Sequence, residues 1–277
     1  MMIIGSGKKD IRLMHRLAMC VALGGVAAVT PAGAWPDGSI VVIAHRGEHR
    51  AHPENTLPAF QAAIDAGADF FELDVRTTSD GQLVLMHDSN VDRTTNGTGA
   101  IRSMTMEQVR ALDAGRKFGP RFAGAKVPAF EEALTLAHGK IGVYVDCKDV
   151  APSGLAAALD RAEMTGSVVI YGGAGFLKKV SALNPTLKVM PEAGSASTLR
   201  RLLAELTPRV VAFDAGDFKD DVIAVAQAAK VEIYVDRLDA ADTEAGWQDA
   251  IDRGAAGIQT DRPADLEQYL RARKLHR

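Results

Sequence analysis

The first feature of this chain is a set of polar side chains whose types fit chemistry on a phosphate group. His45 is followed by Arg46, Glu72 and Asp74 are two residues apart, and His87 follows soon after. Carboxylates hold divalent cations, arginine neutralises phosphate charge, and imidazoles accept and donate protons. Each group stands at or near the end of an apolar run, so the sequence predicts metal-assisted phosphoryl chemistry at strand ends.

The carboxylate pair is the strongest local signal. Glu72 and Asp74 point to one face of a strand because side chains alternate along it. Burying two unpaired carboxylates is costly, and Arg76 is the only basic residue close to them in sequence. We therefore expect a Mg²⁺ or Ca²⁺ site here, with an ion-pair network as the alternative.

The histidines around the first predicted strand differ in what they indicate. His45 ends that strand, where a lone histidine is more often structural than catalytic. Arg46 and Gly47 favour a ligand site, because arginine can bind phosphate and glycine permits close approach of a ligand. His49 and His52 lie in the following loop and are expected to be solvated.

A later strand end repeats the pattern of charged side chains. Tyr144, Asp146 and Lys148 alternate with apolar or small residues and so share one face of the predicted strand. Asp146 can complete a three-carboxylate cation site, and Lys148 can contact a phosphate oxygen or the leaving alkoxide. The alternative is a local ion pair between Asp146 and Lys148.

These residues belong to a repeating alternation of strands and helices. Apolar runs predict strands at residues 40–44, 70–75, 83–86, 141–145, 168–171, 187–190, 210–213, 231–235 and 257–259. Helical patterns lie at residues 56–66, 105–112, 130–137, 154–163, 175–183, 197–206, 219–229, 242–253 and 264–274. This alternation indicates parallel strands buried on both faces. We predict an α/β fold, a (β/α)8 TIM barrel, with a doubly wound sheet as the runner-up.

One connection in this pattern is too short for a crossover helix. Only seven residues separate the second and third runs, so these two should form an antiparallel hairpin near the second strand. If Thr77 pairs with Gln82, His87 lies opposite Glu72. Asp88 should then face away from the His87 imidazole, because adjacent residues on a strand point to opposite sides.

The N-terminus has a different composition from the rest of the chain. Residues 1–34 contain four basic residues, an apolar run of about 14 residues and small residues before Trp35, which is typical of a secretory signal. The apolar run is short for a membrane anchor, and Met14 offers a second workable start. We expect residues 35–277 to be one exported domain, periplasmic or secreted, with no stable membrane span.

The composition of residues 35–277 narrows the possible partners. With 28 basic and 34 acidic residues, this part has no basic excess with which to bind nucleic acid. Its single cysteine, Cys147, excludes an internal disulfide framework. Neither feature indicates the oligomeric state.

An ordered set of motifs covers essentially all of residues 35–277. It comprises residues 45–47 (HRG), 53–56 (PENT), 67–81, 86–88 (MHD), 93–97 (RTTNG), 127–134 and 260–263 (TDRP). Any one of these motifs would be weak, but the set with its spacing is highly specific. On these residues the chain resembles the glycerophosphodiester phosphodiesterase family, whose barrel is similar to that of the phosphatidylinositol-specific phospholipases.

The resemblance implies a function and a role for seven residues. The implied reaction is metal-dependent hydrolysis of a glycerophosphodiester to sn-glycerol 3-phosphate and an alcohol. The implied acid–base pair is His45 and His87. The remaining roles are phosphate binding by Arg46 and Lys148, and binding of one divalent cation, Ca²⁺ or Mg²⁺, by Glu72, Asp74 and Asp146.

Two departures from the family pattern accompany this resemblance. Asp146 stands where many members carry glutamate, which leaves the metal preference open. Residues 233–236 (IYVD) stand where many members carry Trp-Thr-Val-Asn, which leaves substrate contacts on that side open. The alternative functions are a lipid-acting phospholipase D or C on the same barrel and a non-catalytic binding protein, against which the intact histidine pair counts.

Overall fold

The computed structural model describes residues 1–2 and 39–276, so the predicted signal segment lies almost entirely outside the described residues. The strands are β1 Val41–Ala44, β2 Phe70–Thr77, β3 Leu83–Leu85, β4 Gly142–Cys147, β5 Val168–Tyr171, β6 Lys188–Met190, β7 Val210–Phe213, β8 Glu232–Arg237 and β9 Gly257–Thr260. The α-helices are α1 Leu57–Asp65, α2 Met106–Ala111, α3 Phe130–Ala137, α4 Pro152–Arg161, α5 Ala174–Leu183, α6 Ala196–Leu206, α7 Asp220–Ala228, α8 Glu244–Asp252 and α9 Pro263–Ala272. Each predicted run therefore coincides with an element of the predicted type.

Eight of these strands form a parallel barrel. Their order is β6-β5-β4-β2-β1-β9-β8-β7, and β3 lies outside this ring, paired with β2. The ring closes between β6 and β7, where Glu192 bridges to Ala212 and the Ala193 amide donates to the Ala212 carbonyl at 2.8 Å. This closure confirms the predicted TIM barrel over the doubly wound sheet.

The core explains why the strands are bare apolar runs. One cluster fills the barrel interior, and two larger ones lie between the barrel and the surrounding helices. In β1, Val41 and Ile43 belong to the interior cluster while Val42 and Ala44 belong to the outer clusters. Because both faces of a strand are buried, alternation with polar residues occurs only at the strand ends, where the barrel opens.

The hairpin between β2 and β3 is present, but its predicted register is wrong by one residue. Thr77 is paired with Leu83 and not with Gln82. The loop between them contains five residues, 78–82, and Gly81 takes a left-handed backbone with φ of 78°, which glycine adopts readily. β3 ends at Leu85, so no ladder pair places His87 opposite Glu72.

β3 and the segment that follows it share a small core of their own. Its buried side chains are Val84, Met86, Val91, Ile101, Val109, Ala114 and Val127. This packing supports the loop that carries His87 above the barrel. Of the helices in residues 1–2 and 39–276, none is long and apolar enough to cross a membrane.

Candidate active site

The carboxyl ends of the barrel strands surround a cavity of about 310 Å³. All seven residues singled out from the sequence line this cavity: His45, Arg46, Glu72, Asp74, His87, Asp146 and Lys148. In TIM barrels this end of the barrel carries the active site. The sequence prediction that these distant residues meet in one place is therefore correct.

Three carboxylates form the floor of this cavity. Oxygens of Glu72, Asp74 and Asp146 lie within 4.8 Å of one another, and Asp74 and Asp146 are register partners on neighbouring strands. Glu72 and Asp74 are only 2% and 1% exposed. Asn55 binds Asp74 twice, since its side-chain nitrogen donates to Oδ2 at 2.7 Å and its oxygen accepts from the Asp74 amide at 3.1 Å.

The charges of this cluster are only partly balanced. Lys148 Nζ lies 2.6 Å from Asp146 Oδ2 and 3.1 Å from Asp74 Oδ1, so the Asp146–Lys148 ion pair considered from the sequence is present. Burial raises the pKa of Glu72 well above its usual value, and the charges of Asp74 and Asp146 add to this effect. Closely spaced, oxygen-only ligands with excess negative charge fit a hard divalent cation such as Mg²⁺ or Ca²⁺.

The turn after β1 presents Arg46 to these carboxylates. Its amide donates to Glu72 Oε2 at 2.7 Å, and its Nε lies 3.6 Å from Asp74 Oδ2. Arg46 has a left-handed backbone with φ of 51°, which costs a non-glycine residue roughly 1–2 kcal/mol. The next residue must be glycine, because a Cβ on Gly47 would lie 2.6 Å from the backbone carbon of Ala59.

His45 is oriented by Asp261, which no local sequence pattern indicates as a site residue. Its Nδ1 lies 2.8 Å from Asp261 Oδ1. A carboxylate only accepts, so Nδ1 donates the hydrogen bond and Nε2 carries the lone pair. Burial lowers the pKa of His45, and the nearby positive charge of Arg46 acts in the same direction, while Asp261 opposes both.

His87 is held in a similar way, by the residue that follows it. Its Nδ1 lies 2.8 Å from Asp88 Oδ1, and Arg93 binds both oxygens of Asp88 at 2.7 and 3.0 Å. The expectation that Asp88 faces away from His87 is therefore wrong. Side-chain alternation does not apply here, because β3 ends at Leu85 and the chain has left the sheet.

A network of charged residues joins the two halves of the site. Arg93 also donates to both oxygens of Glu54, at 2.6 and 2.8 Å, and Glu54 accepts from Arg46 at 3.1 Å. The loop that carries His87 is thereby tied to the turn that carries Arg46. Motif membership was the only sequence signal for Glu54 and Arg93, since nothing in their spacing indicates a contact across 39 residues.

The two loop histidines are not the solvated residues expected from the sequence. His49 is partly buried, with Nδ1 at 2.7 Å from the His45 carbonyl oxygen and its ring edge-on to that of His45. The His52 ring lies against Phe122, and its Nδ1 is 2.9 Å from Glu48 Oε2. Neither histidine lines the cavity. Both contact residues of the turn after β1 and so support that turn.

Comparison with known proteins gives a family match that covers most of the chain. Residues 45–265 match the model of the glycerophosphoryl diester phosphodiesterase family. A solved glycerophosphodiester phosphodiesterase from Agrobacterium tumefaciens is 31% identical, with a TM-score of 0.72 over 81% of this chain and 97% of that one. A phosphodiesterase from Oleispira antarctica, solved with its product sn-glycerol-3-phosphate, is 22% identical, with a TM-score of 0.76 over 84% of this chain and 97% of that one; it shares the fold.

Curated relatives are similar over a shorter stretch. A glycerophosphodiester phosphodiesterase from Caldanaerobacter subterraneus subsp. tengcongensis is 51% identical over 100 residues, which are 36% of this chain and 41% of that protein. One from Bacillus subtilis is 37% identical over 134 residues, which are 43% of this chain and 46% of that protein. The matched part thus spans less than half of the length of these relatives.

Proposed function

Because this chain belongs to the glycerophosphoryl diester phosphodiesterase family, we propose that it hydrolyses glycerophosphodiesters to sn-glycerol 3-phosphate and an alcohol. One observation carries the proposal: two histidines, three carboxylates and two basic side chains from separate parts of the chain line a single cavity. This is the set that hydrolysis of a phosphodiester requires.

Arg46 and Lys148 bind the phosphate in this proposal. The Nε of Arg46 is buried and has no hydrogen-bond partner among the described residues, so an N–H donor is open to a phosphate oxygen. Lys148 reaches the cavity beside Asp74 and Asp146 and supplies a second positive charge. Both groups stabilise the negative charge that grows on phosphate oxygens during the reaction.

Glu72, Asp74 and Asp146 would hold one divalent cation, Ca²⁺ or Mg²⁺, which when bound neutralises phosphate charge and acidifies the attacking hydroxyl. Two features of the cluster support this role. Its three carboxylates offer oxygen ligands close together, and a bound cation would lower the raised pKa of Glu72.

His45 acts as the base and His87 as the acid. The lowered pKa of His45 favours its neutral form, and its Nε2 lone pair accepts a proton from the attacking hydroxyl. Attack by water gives sn-glycerol 3-phosphate directly. Attack by a glycerol hydroxyl gives a cyclic phosphate, which a water molecule then opens to sn-glycerol 3-phosphate. The His87 side chain is 37% exposed against 15% for His45, and its Nδ1 lies 2.8 Å from Asp88 Oδ1. Protonated His87 donates to the leaving alcohol oxygen, which departs as the neutral alcohol.

Replacing Asp261 with asparagine tests the orientation of His45. Loss of the carboxylate charge lowers the pKa of His45 further, so the acidic limb of the kcat/KM profile should move to lower pH. The maximal kcat should fall by about 10²–10⁴-fold, because the imidazolium loses its counter-charge. Asp265→Asn, an exposed change on α9, is the matched control. An unchanged acidic limb in Asp261→Asn would contradict the assigned role.

The proposed reaction is tested by identifying products. Glycerophosphoethanolamine, glycerophosphocholine and glycerophosphoglycerol are incubated with the protein and Mg²⁺ or Ca²⁺, and products are followed by ³¹P NMR. We expect sn-glycerol 3-phosphate and the free alcohol. Release of choline from lysophosphatidylcholine with no turnover of any of the three diesters would instead indicate a lipid-acting enzyme.

A further inference from the structure

The proposed chemistry uses only one side of the cavity. The other side is lined by Tyr144, Tyr171, Glu192, Asp236 and Gln259, on or just after β4, β5, β6, β8 and β9. Asp214 and Asp217 lie behind Glu192, with carboxylate oxygens of all three within 4.8 Å of one another. Negative charge and two aromatic rings thus face the position proposed for the phosphate.

No lysine or arginine among the described residues that line the cavity contacts this group of carboxylates. In residues 39–276, Lys148 and Arg46 are the only lysine and arginine that line the cavity, and both contact carboxylates of the other side. The groups with the largest effects on Glu192, Asp217 and Asp236 are other acids, backbone amides and the Tyr171 hydroxyl. Arg237 also attracts Asp236 through space, but its guanidinium binds Asp249 at 2.9 Å. A second phosphate would be repelled here, whereas a cation would be attracted.

Two buried acceptors on this side have no donor. Gln259 is 5% exposed, and its Oε1 has no hydrogen-bond partner in the described part of the chain. It is the register partner of Asp236, so both side chains point into the barrel mouth. The Oε1 of Glu192 is likewise buried without a partner, while its other oxygen accepts from the Tyr171 hydroxyl. Buried acceptors of this kind are satisfied when a ligand brings N–H donors.

We propose that this side of the cavity is a subsite for the protonated primary amine of the alcohol group, so that glycerophosphoethanolamine is the preferred substrate. The inference rests on the proposed function. A primary ammonium combines the positive charge that the carboxylates require with the N–H donors that Glu192 and Gln259 lack. A quaternary ammonium has the charge but no such donors, and a neutral polyol has donors but no charge.

The titration of these acids supports the same assignment. Burial, together with neighbouring carboxylates, raises the pKa of Glu192 to about 7 and that of Asp236 to about 8. Such shifts arise where buried acids lie close together without a cation in contact, and a bound ammonium group would lower both pKa values. Amine binding and ionisation of the two acids thus favour each other.

The test compares kcat/KM for glycerophosphoethanolamine, glycerophosphocholine and glycerophosphoglycerol at saturating divalent cation. The wild-type protein should prefer the ethanolamine ester over each of the others by about tenfold or more in kcat/KM. This is the effect expected from one charge-assisted hydrogen bond to the ammonium group. In Glu192→Gln and in Asp236→Asn, the ratio of the ethanolamine to the glycerol ester should fall towards one. Glu107→Gln, which removes one exposed negative charge on α2, should keep the wild-type ratio.

The outcomes separate this inference from the proposed function. Equal kcat/KM values for the three diesters, or a ratio unaltered in both variants, would overturn the subsite and leave the hydrolysis intact. Absence of turnover for all three would overturn the proposed function itself. If one variant does not fold, as judged by circular dichroism, the other decides the result.

Discussion

Replacing His45 with alanine should lower kcat for glycerophosphodiester hydrolysis by about 10²–10⁴-fold, and replacing His87 should have an effect of the same order. The two losses should respond differently to the leaving group. With p-nitrophenol as the leaving alcohol no proton donor is required, so His87→Ala should recover most of its activity while His45→Ala should not. Steady-state kinetics with a natural glycerophosphodiester and with the p-nitrophenyl ester of glycerol phosphate measures this difference.

The fold should survive both substitutions, since each imidazole lies at the cavity rim and not in the core. His52→Ala is the control, because His52 belongs to the same turn as His45 but does not line the cavity. It should keep near wild-type kcat. Full activity of His45→Ala, or equal recovery of both variants with the good leaving group, would contradict the assigned roles.

A divalent cation should raise the melting temperature by about 5–10 °C. A ligand at one hundred times its Kd stabilises a protein by about 2.7 kcal/mol. Each kcal/mol shifts Tm by roughly 2–4 °C for a domain of this size. Glu72→Gln removes one carboxylate ligand and should lose most of this shift, whereas Glu107→Gln should retain it. Differential scanning calorimetry with and without Mg²⁺ or Ca²⁺ provides the measurement.

Without a cation, Glu72 makes stability depend on pH in a defined direction. Its pKa is raised in the folded state, so as pH rises above about 4.5 the unfolded chain loses this proton before the folded one. The Glu72 contribution to the free energy of unfolding therefore decreases as pH rises, and Glu72→Gln should remove that decrease. A cation-induced shift as large in Glu72→Gln as in the wild-type protein would show that the ion binds elsewhere.

The fold was predictable from the sequence because its signals are local. Each strand is a bare apolar run, and the helical patterns between them leave few topologies that keep the strands parallel. The pair Glu72 and Asp74 was predictable for the same reason, since a spacing of two places both carboxylates on one face of β2. Asp146 followed from the rule that polar residues at the ends of parallel strands meet at one rim.

The residues that orient the histidines were not predictable in this way. Asp261 lies 216 positions from His45, and their contact depends on β9 closing against β1 in the barrel. The Asp88 contact depends on where β3 ends, and the hairpin register depends on the backbone of Gly81. A change of one residue in the strand end or in the register moves a side chain to the opposite face. Neither the local sequence pattern nor the motifs determine the strand end or the register.

Turnover of a glycerophosphodiester by the chelated and the cation-restored protein tests the central claim most directly. The protein is treated with EDTA, freed of chelator and assayed by ³¹P NMR before and after addition of Mg²⁺ or Ca²⁺. We predict no sn-glycerol 3-phosphate from the chelated wild-type protein, formation of that product after the cation is returned, and no restoration in Glu72→Gln. Undiminished turnover by the metal-free wild-type protein would contradict the account.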